Sequence, residues 1–367
     1  MAEESKTESI LTEQSLEFFR NYINNPSPVG FETAGQRIWL DYVTPFVNET
    51  FTDPYGTAVG VVNPNQPFKV VIEAHADEIS WFVNYINNEG LIYLKRNGGV
   101  DHQIAPGQRV IIHGKKGPVK AVFGWPAIHT RLSNQEKEPV PKVENLFLDC
   151  GGRNKKEVED LGVHIGAVVT YKEGFEEMAY DYYVGRAFDN RVGGYMIAEV
   201  ARLLKEKGKT LPYSLYVVNA VQEEIGLRGA EMIARRIKPN VAIITDVTHD
   251  TNTPMINKAI EGDIACGKGP SLSYGPAVHN KLLNFVQDVA EKSNIPVQLR
   301  TSSRSTGTDT DSFAYANDGC PSVLISIPLR YMHTTVEMLH KNDIEQTIQL
   351  MYETLLALTP ETNLSYF

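Results

Sequence analysis

Residues 69–78, Lys69-Val70-Val71-Ile72-Glu73-Ala74-His75-Ala76-Asp77-Glu78, decide the fold. Val70, Val71 and Ile72 form a β-branched run without alternation, the pattern of a short strand covered on both faces. Such a strand belongs inside a sheet flanked by helices, not at a solvated edge. The polar residues from Glu73 to Glu78 then fall where that strand ends.

Outward from this stretch, the carboxyl half of the chain predicts alternation. A helix over about 192–207 is followed by a strand over 215–221, a helix over 226–237 and a strand over 241–245. A helix over 280–292, a strand over 297–300, a short helix near 311–316, a strand over 323–327 and a last helix over about 343–358 complete the series. Near the amino end, Leu16, Phe19, Tyr22 and Ile23 recur at helical spacing until Asn25-Pro26-Ser27-Pro28 stops the helix. Strands alternating with helices predict an α/β sheet with helices on both faces.

The stretch 81–174 breaks this rhythm. It offers hairpin pieces over 109–113 and 119–123 around a Lys115-Lys116-Gly117 turn, and one helix over 155–161. It is expected to be a small β-rich domain inserted into an α/β domain made of residues 1–80 and 175–367.

Composition narrows the classes of function. The 367 residues are 42% hydrophobic and 22% charged, as in a globular protein with a sizeable core. No apolar run approaches the roughly 18 residues of a membrane span, so no membrane partner is expected. Lysine and arginine total 35 against 45 aspartate and glutamate, a net charge of −10 that disfavours nucleic acid as a partner. Residues 1–8 are acidic and polar, without the basic and apolar parts of a secretory signal, so a cytoplasmic location is expected. Cys150, Cys266 and Cys320 form no Cys-x-x-Cys pair and are expected to be small core residues.

The candidate chemistry lies at the strand ends, where open α/β sheets hold their ligands. His75 and Asp77 are two apart on extended chain and share a side, so His75 can bind a metal while Asp77 orients it. Taken singly, His75 also fits a solvated strand end. Glu223 and Glu224 close a strand and project differently, which suits one metal ligand and one general base; their blander role is to favour the start of the following helix. Asp189 sits in Gly185-Arg186-Ala187-Phe188-Asp189-Asn190-Arg191 at the opening of a helix, and Asp246 and His333 each follow an apolar run.

Five such residues, His75, Asp189, Glu224, Asp246 and His333, at the ends of successive elements are hard to explain by solvation alone. Three carboxylates and one hydroxide balance two divalent cations, whereas the same acids without cations would repel one another. Nitrogen and oxygen donors without thiolate suit zinc, cobalt or manganese. One bridging carboxylate would keep the ions roughly 3.5–4 Å apart and leave positions open. The loop 262–269 nearly spells a phosphate-binding motif, but Gly269 stands where Ser or Thr is required.

At these motifs the sequence resembles the tetrahedral aminopeptidases, also called glutamyl or deblocking aminopeptidases, of the co-catalytic dinuclear metallopeptidases. The motifs occur in the family order: His-x-Asp-Glu-Ile, Arg-Ala-Phe-Asp-Asn-Arg, Gln-Glu-Glu-Ile-Gly-Leu-Arg-Gly-Ala, Thr-Asp-Val-Thr and Arg-Tyr-Met-His-x-x-x-Glu-Met. The resemblance implies a mixed-sheet α/β/α dinuclear zinc-exopeptidase fold whose inserted β-rich domain serves dimerisation. It implies two divalent metal ions per subunit, zinc first, with cobalt or manganese as alternatives. Asp189 would bridge them, His75 and Asp246 would complete one site, and Glu224 and His333 the other. Glu223 would be the general base, Asp77 would support His75, and a cis peptide would follow Asp189.

The implied activity is removal of the amino-terminal residue from peptides with a free amino terminus, by a homo-oligomer in which dimers assemble into a dodecamer. Ala74, Ala76, Ser80 and Asn190 depart from the commonest family pattern without touching a proposed ligand. The segment 303–311 falls where the resemblance locates part of the specificity pocket. Rival readings are a deacylase, a carboxypeptidase or an endoglucanase-type hydrolase on the same scaffold, and a non-catalytic peptide-binding subunit. His249 is expected to lie behind the site or at the surface.

Overall fold

The computed structural model describes residues 9–131, 140–172 and 174–367. Strands β1 (Glu49–Thr52), β2 (Ala58–Val62) and β3 (Lys69–His75) precede six strands that close into a barrel. These are β4 (Ser80–Ile86), β5 (Ile92–Asn97), β6 (Arg109–Gly114), β7 (Gly117–Gly124), β8 (Phe147–Asp149) and β9 (Val168–Tyr171). After the barrel come β10 (Glu176–Glu177), β11 (Tyr182–Gly185), β12 (Ser214–Ala220), β13 (Val241–His249), β14 (Ser271–Tyr274), β15 (Gln298–Thr301), β16 (Ser322–Leu329) and β17 (Glu337–His340).

The main sheet has the order β1-β2-β12-β3-β13-β16-β14-β15. β3 lies in its middle and pairs in parallel with β12, from Lys69 opposite Ser214 to His75 opposite Ala220, and with β13 on its other side. Its apolar run is buried, as expected of a central strand covered on both faces. The sheet is mixed because β1 and β2 form an antiparallel hairpin against β12, and β14 runs antiparallel to β16. Strands β1 and β2 and the helix Thr33–Val43 escape the sequence reading.

The helix Phe188–Glu206 packs on β3, β12 and β13, and every residue from Phe188 to Leu204 is buried. Gly193 permits this close approach: a Cβ there would lie 2.8 Å from that of Ala74, beside His75. The helix starts at Phe188, four residues before the start its apolar spacing predicts; Asp189 and Asn190 in its first turn have non-helical backbone angles and are joined by a cis peptide. Arg191, fully buried in this helix, donates to the carbonyls of Tyr22 and Asn25 and lies over the Tyr22 ring at 4.2 Å. The first helix, Glu13–Asn24, is thereby tied to the site helix.

The barrel has its own apolar core, including Trp81, Ile112, Phe123 and Leu148. Its hairpin β6–β7 closes with Gly114 opposite Gly117. Cys266 and Cys320 are buried, whereas Cys150 is only partly so and packs against the barrel core. Among the described residues, no helix is long and apolar enough to cross a membrane.

Candidate metal centre

Parallel pairing of β12, β3, β13 and β16 brings their carboxyl ends together. His75 ends β3, Glu223 and Glu224 lie in the turn just past β12, Asp246 lies within β13, and His333 follows β16. Asp189 enters from the first turn of the long helix. Each side chain is thus held by an element already fixed by burial of its apolar neighbours.

Asp189 faces two ways. Its Oδ1 lies 3.3 Å from His75 Nε2, and its Oδ2 lies 3.2 Å from His333 Nε2. Asp246 Oδ1 is 3.9 Å from His75 Nε2, and Glu224 Oε1 is 3.3 Å from His333 Nε2. Donor atoms of His75, Asp189 and Asp246 lie within 4.8 Å of one another, and so do those of Asp189, Glu224 and His333. Glu223 joins through Oε2, 3.8 Å from His75 Nε2, and forms a third such group with His75 and Glu224.

The ring nitrogens that face away from the cluster each have an oxygen beside them. His75 Nδ1 lies 3.3 Å from Asp77 Oδ1, and His333 Nδ1 lies 3.1 Å from the carbonyl oxygen of Gly99. Asp77 also accepts the backbone N–H of Glu223 at 3.0 Å and of Glu224 at 3.1 Å. One buried carboxylate therefore lies beside the His75 ring and holds the turn carrying both glutamates. Glu337 does the same on the other side, accepting the backbone N–H of Asp189 at 3.1 Å and of His333 at 2.8 Å.

The electrostatics are those of acids crowded in a low dielectric. Burial pushes the Glu223 carboxyl up to about 10, with Asp309, Asp246 and Glu224 adding to the shift and His75 opposing it. Burial likewise drives Asp246 well above the carboxylate range and raises Glu224. Burial works against the charge of His333 but is outweighed by Asp189 and Glu224, which lift its imidazolium to about 12. Asp189 alone among these acids is lowered: burial opposes its ionisation, and the imidazoles of His333 and His75 overcome it.

The residues fit a pair of divalent ions. The donors are imidazole nitrogens and carboxylate oxygens, Glu224 Oε1 is buried without a hydrogen bond, and the repelling acids need compensating positive charge. His75, Asp189, Asp246, Glu224 and His333 could hold the ions, with Glu223 beside them.

These side chains open into a cavity of about 670 Å³. His249, Arg300, Ser305, Thr306 and Met332 form part of its wall, and His249 is exposed there, the surface position being one of the two expected for it. Sequence reasoning missed Glu337, although it recurs four residues after His333. It also missed Gly99, which no local pattern announces. Glu73 and Asp309, fully buried and facing each other beneath the cluster, are a further pair it assigned no role; burial lifts Glu73 to about 8.

The M42 glutamyl aminopeptidase family profile matches residues 56–350. The lysyl aminopeptidase of Pyrococcus furiosus is 31% identical over 345 residues, covering 94% of this chain and 97% of its own. Among solved structures, a TET aminopeptidase from a marine sediment archaeon of the Thaumarchaeota superposes with a TM-score of 0.91 at 31% identity, covering 95% of this chain and 98% of its own. The Pyrococcus horikoshii TET1 peptidase in its dodecameric form gives a TM-score of 0.83 at 25% identity, with 94% and 99% covered.

Proposed function

From the premise that the chain belongs to the M42 glutamyl aminopeptidase family and is a peptidase, we propose that it removes amino-terminal residues from peptides with two divalent ions and Glu223 as general base. The observation that carries this reading is the double-faced Asp189, whose two oxygens address His75 and His333 separately. His75 and Asp246 would hold one ion and Glu224 and His333 the other, with Asp189 between them. When bound, such ions supply Lewis-acid polarisation of the scissile carbonyl and charge stabilisation as it becomes tetrahedral.

Glu223 is the carboxylate left over once five ligands are assigned. Its Oε2 would take a proton from the attacking water and later deliver it to the leaving amine. Asp77 would keep Glu223 in register by accepting its backbone N–H, and would fix the His75 ring through Nδ1. Zinc suits the nitrogen and oxygen donor set, with cobalt or manganese as alternatives.

The barrel segment 81–174 is the proposed dimerisation domain of a homo-oligomer built from dimers, and the dodecameric form of the P. horikoshii relative supports the homo-oligomer. Three cysteines without a disulfide suit a reducing compartment such as the cytoplasm.

The test is a panel of peptides with free or acetylated amino termini, given to chelated protein and to protein resupplied with zinc, cobalt or manganese. Cleavage confined to free-amine peptides and to metal-loaded protein is expected. Metal-independent cleavage, or cleavage of acetylated peptides at the same rate, would overturn the reading.

A further inference from the structure

Beneath the buried His, Asp and Glu cluster lies a pair of acids with no part in the proposed chemistry. Glu73 stands two residues before His75 on β3, so the two side chains leave the same face of the main sheet. The short helix Thr310–Ala314 packs on that sheet against β13 and β16. Asp309 immediately precedes this helix, and its fully buried carboxyl meets that of Glu73 in a hydrogen bond. None of the four carboxyl oxygens has another hydrogen-bond partner among the described residues. Such a contact needs one proton held between the two groups, which makes one the donor and the other the acceptor.

The place of Asp309 in the chain sets this contact apart from incidental crowding. It is the N-cap of the helix Thr310–Ala314, where an aspartate ordinarily accepts a backbone N–H of the first turn. Its side chain makes no capping bond and is turned to Glu73 instead. The segment before it is ordered from within: the hydroxyls of Thr306, Thr308 and Thr310 are linked in series, and Asp311 accepts the backbone N–H of Thr306 and of Gly307. Among the described residues, the hydrogen bonds of 303–308 all stay within 303–311. Residues 305–308 line the cavity. Asp309 is therefore the polar tie between this stretch of wall and the strand that ends in His75.

We infer that Asp309 is a positioning residue for the bound peptide: through Glu73 it holds the wall segment 305–308 at a fixed separation from the strand carrying His75. The inference rests on the aminopeptidase reading above. A peptide lying between the cluster and this wall is placed by both sides at once. Loosening the wall weakens binding and leaves the reacting groups where they are.

The test uses the full-length, zinc-loaded protein and four variants: Asp309→Ala, Asp309→Asn, Glu73→Gln, and the double variant Glu73→Leu with Asp309→Leu. An amide at either position still donates to the remaining carboxylate, so Asp309→Asn and Glu73→Gln keep the tie. Asp309→Ala removes it and leaves a buried acid alone, whereas the double variant removes it and puts an uncharged apolar contact in its place. KM for free-amine peptides is expected to rise about tenfold in Asp309→Ala and in the double variant, the equivalent of one lost hydrogen bond. The rise is expected to be alike for peptides beginning with Glu, Leu or Lys, with kcat within about threefold of wild type. In Asp309→Asn and Glu73→Gln, KM should stay within about threefold. Backbone hydrogen exchange across 303–309, read by mass spectrometry without substrate, should quicken at least about tenfold in Asp309→Ala and in the double variant, and hold in the two amide variants.

Unmoved KM and exchange in the double variant would overturn the inference. So would an Asp309→Asn variant as impaired as Asp309→Ala, or a fall in kcat or zinc content with KM unchanged, which would make the pair a support of His75 alone. Failure of the wild-type protein to cleave any free-amine peptide would instead remove the aminopeptidase reading. Exchange across 303–309 would then still decide whether Asp309 holds the wall.

Discussion

His333 Nδ1 lies 3.1 Å from the carbonyl oxygen of Gly99, a residue 234 positions earlier in the chain. Gly99 follows β5 of the barrel, whereas His333 follows β16 of the main sheet. The small β-structure thus sets the orientation of one imidazole in the buried His, Asp and Glu cluster, leaving Nε2 aimed at Asp189 and Glu224.

Gly99→Ala would put a Cβ 2.9 Å from the Cε1 and Nδ1 atoms of His333. The ring must then shift, and metal affinity on the Glu224 and His333 side is expected to fall roughly 10- to 100-fold, as for other losses of a ligand's outer partner. Titration with zinc, followed by elemental analysis and with circular dichroism to confirm the fold, would check this. Two tightly held ions per chain in the variant would refute it.

Glu223→Gln keeps the size and hydrogen-bonding reach of the side chain but cannot accept a proton. Metal content is expected to hold while kcat falls by roughly 10²- to 10⁴-fold. Near-normal turnover would remove Glu223 as the base.

Asp77→Asn leaves one amide nitrogen where an oxygen now receives a backbone N–H from Glu223 or Glu224. The turn carrying both glutamates should move, lowering activity roughly 10- to 100-fold. Unaltered activity and metal affinity would mean that the turn holds itself in place.

Glu32 ties stability to pH. Burial, with the Asp77 charge adding to it, lifts its carboxyl from 4.5 to about 7. Between those values the folded protein keeps a proton that the unfolded chain has released. Its contribution is therefore fully present below the unfolded value and is lost as pH rises through about 7, by on the order of 3 kcal/mol. Glu32→Gln retains an acceptor for the backbone N–H of Gly30 and removes the titration. Urea unfolding of both proteins at pH 5 and pH 8 should show a smaller loss in the variant; equal losses would contradict the assignment.

Chelation should lower the melting temperature, because it leaves Asp246, Glu223 and Glu224 buried among like charges. An ion present at a hundred times its dissociation constant stabilises by about 2.7 kcal/mol, so a shift of several degrees, reversed by zinc, is expected. A melting curve indifferent to chelator would argue that these residues do not bind metal.

Much of the centre is legible because each candidate sits where a local pattern ends. The unbroken run Val70 to Ile72 announces a central strand, and a central strand of a parallel sheet delivers its last residues to a common edge, which is where His75 lies. Glu223, Glu224 and His333 follow apolar runs in the same way. Asp246 is a partial exception, since β13 continues past it to His249 and the acid lies inside the strand. Glu337 was visible as a residue but not as a hydrogen-bond acceptor, because its partners are backbone groups that carry no residue-type signal.

By itself the sequence determined the α/β alternation, the interruption by a β-rich segment and the set of strand-end donors, since all of these follow from hydrophobic period and from which residue comes next. Only the tertiary structure decided that the two oxygens of Asp189 face different histidines, that Gly99 orients His333, and that Arg300 shares a cavity with these residues. Those relationships join segments far apart in the chain. They depend on strand order and crossover, which are set by the burial of whole surfaces and leave no mark in any one stretch of residues.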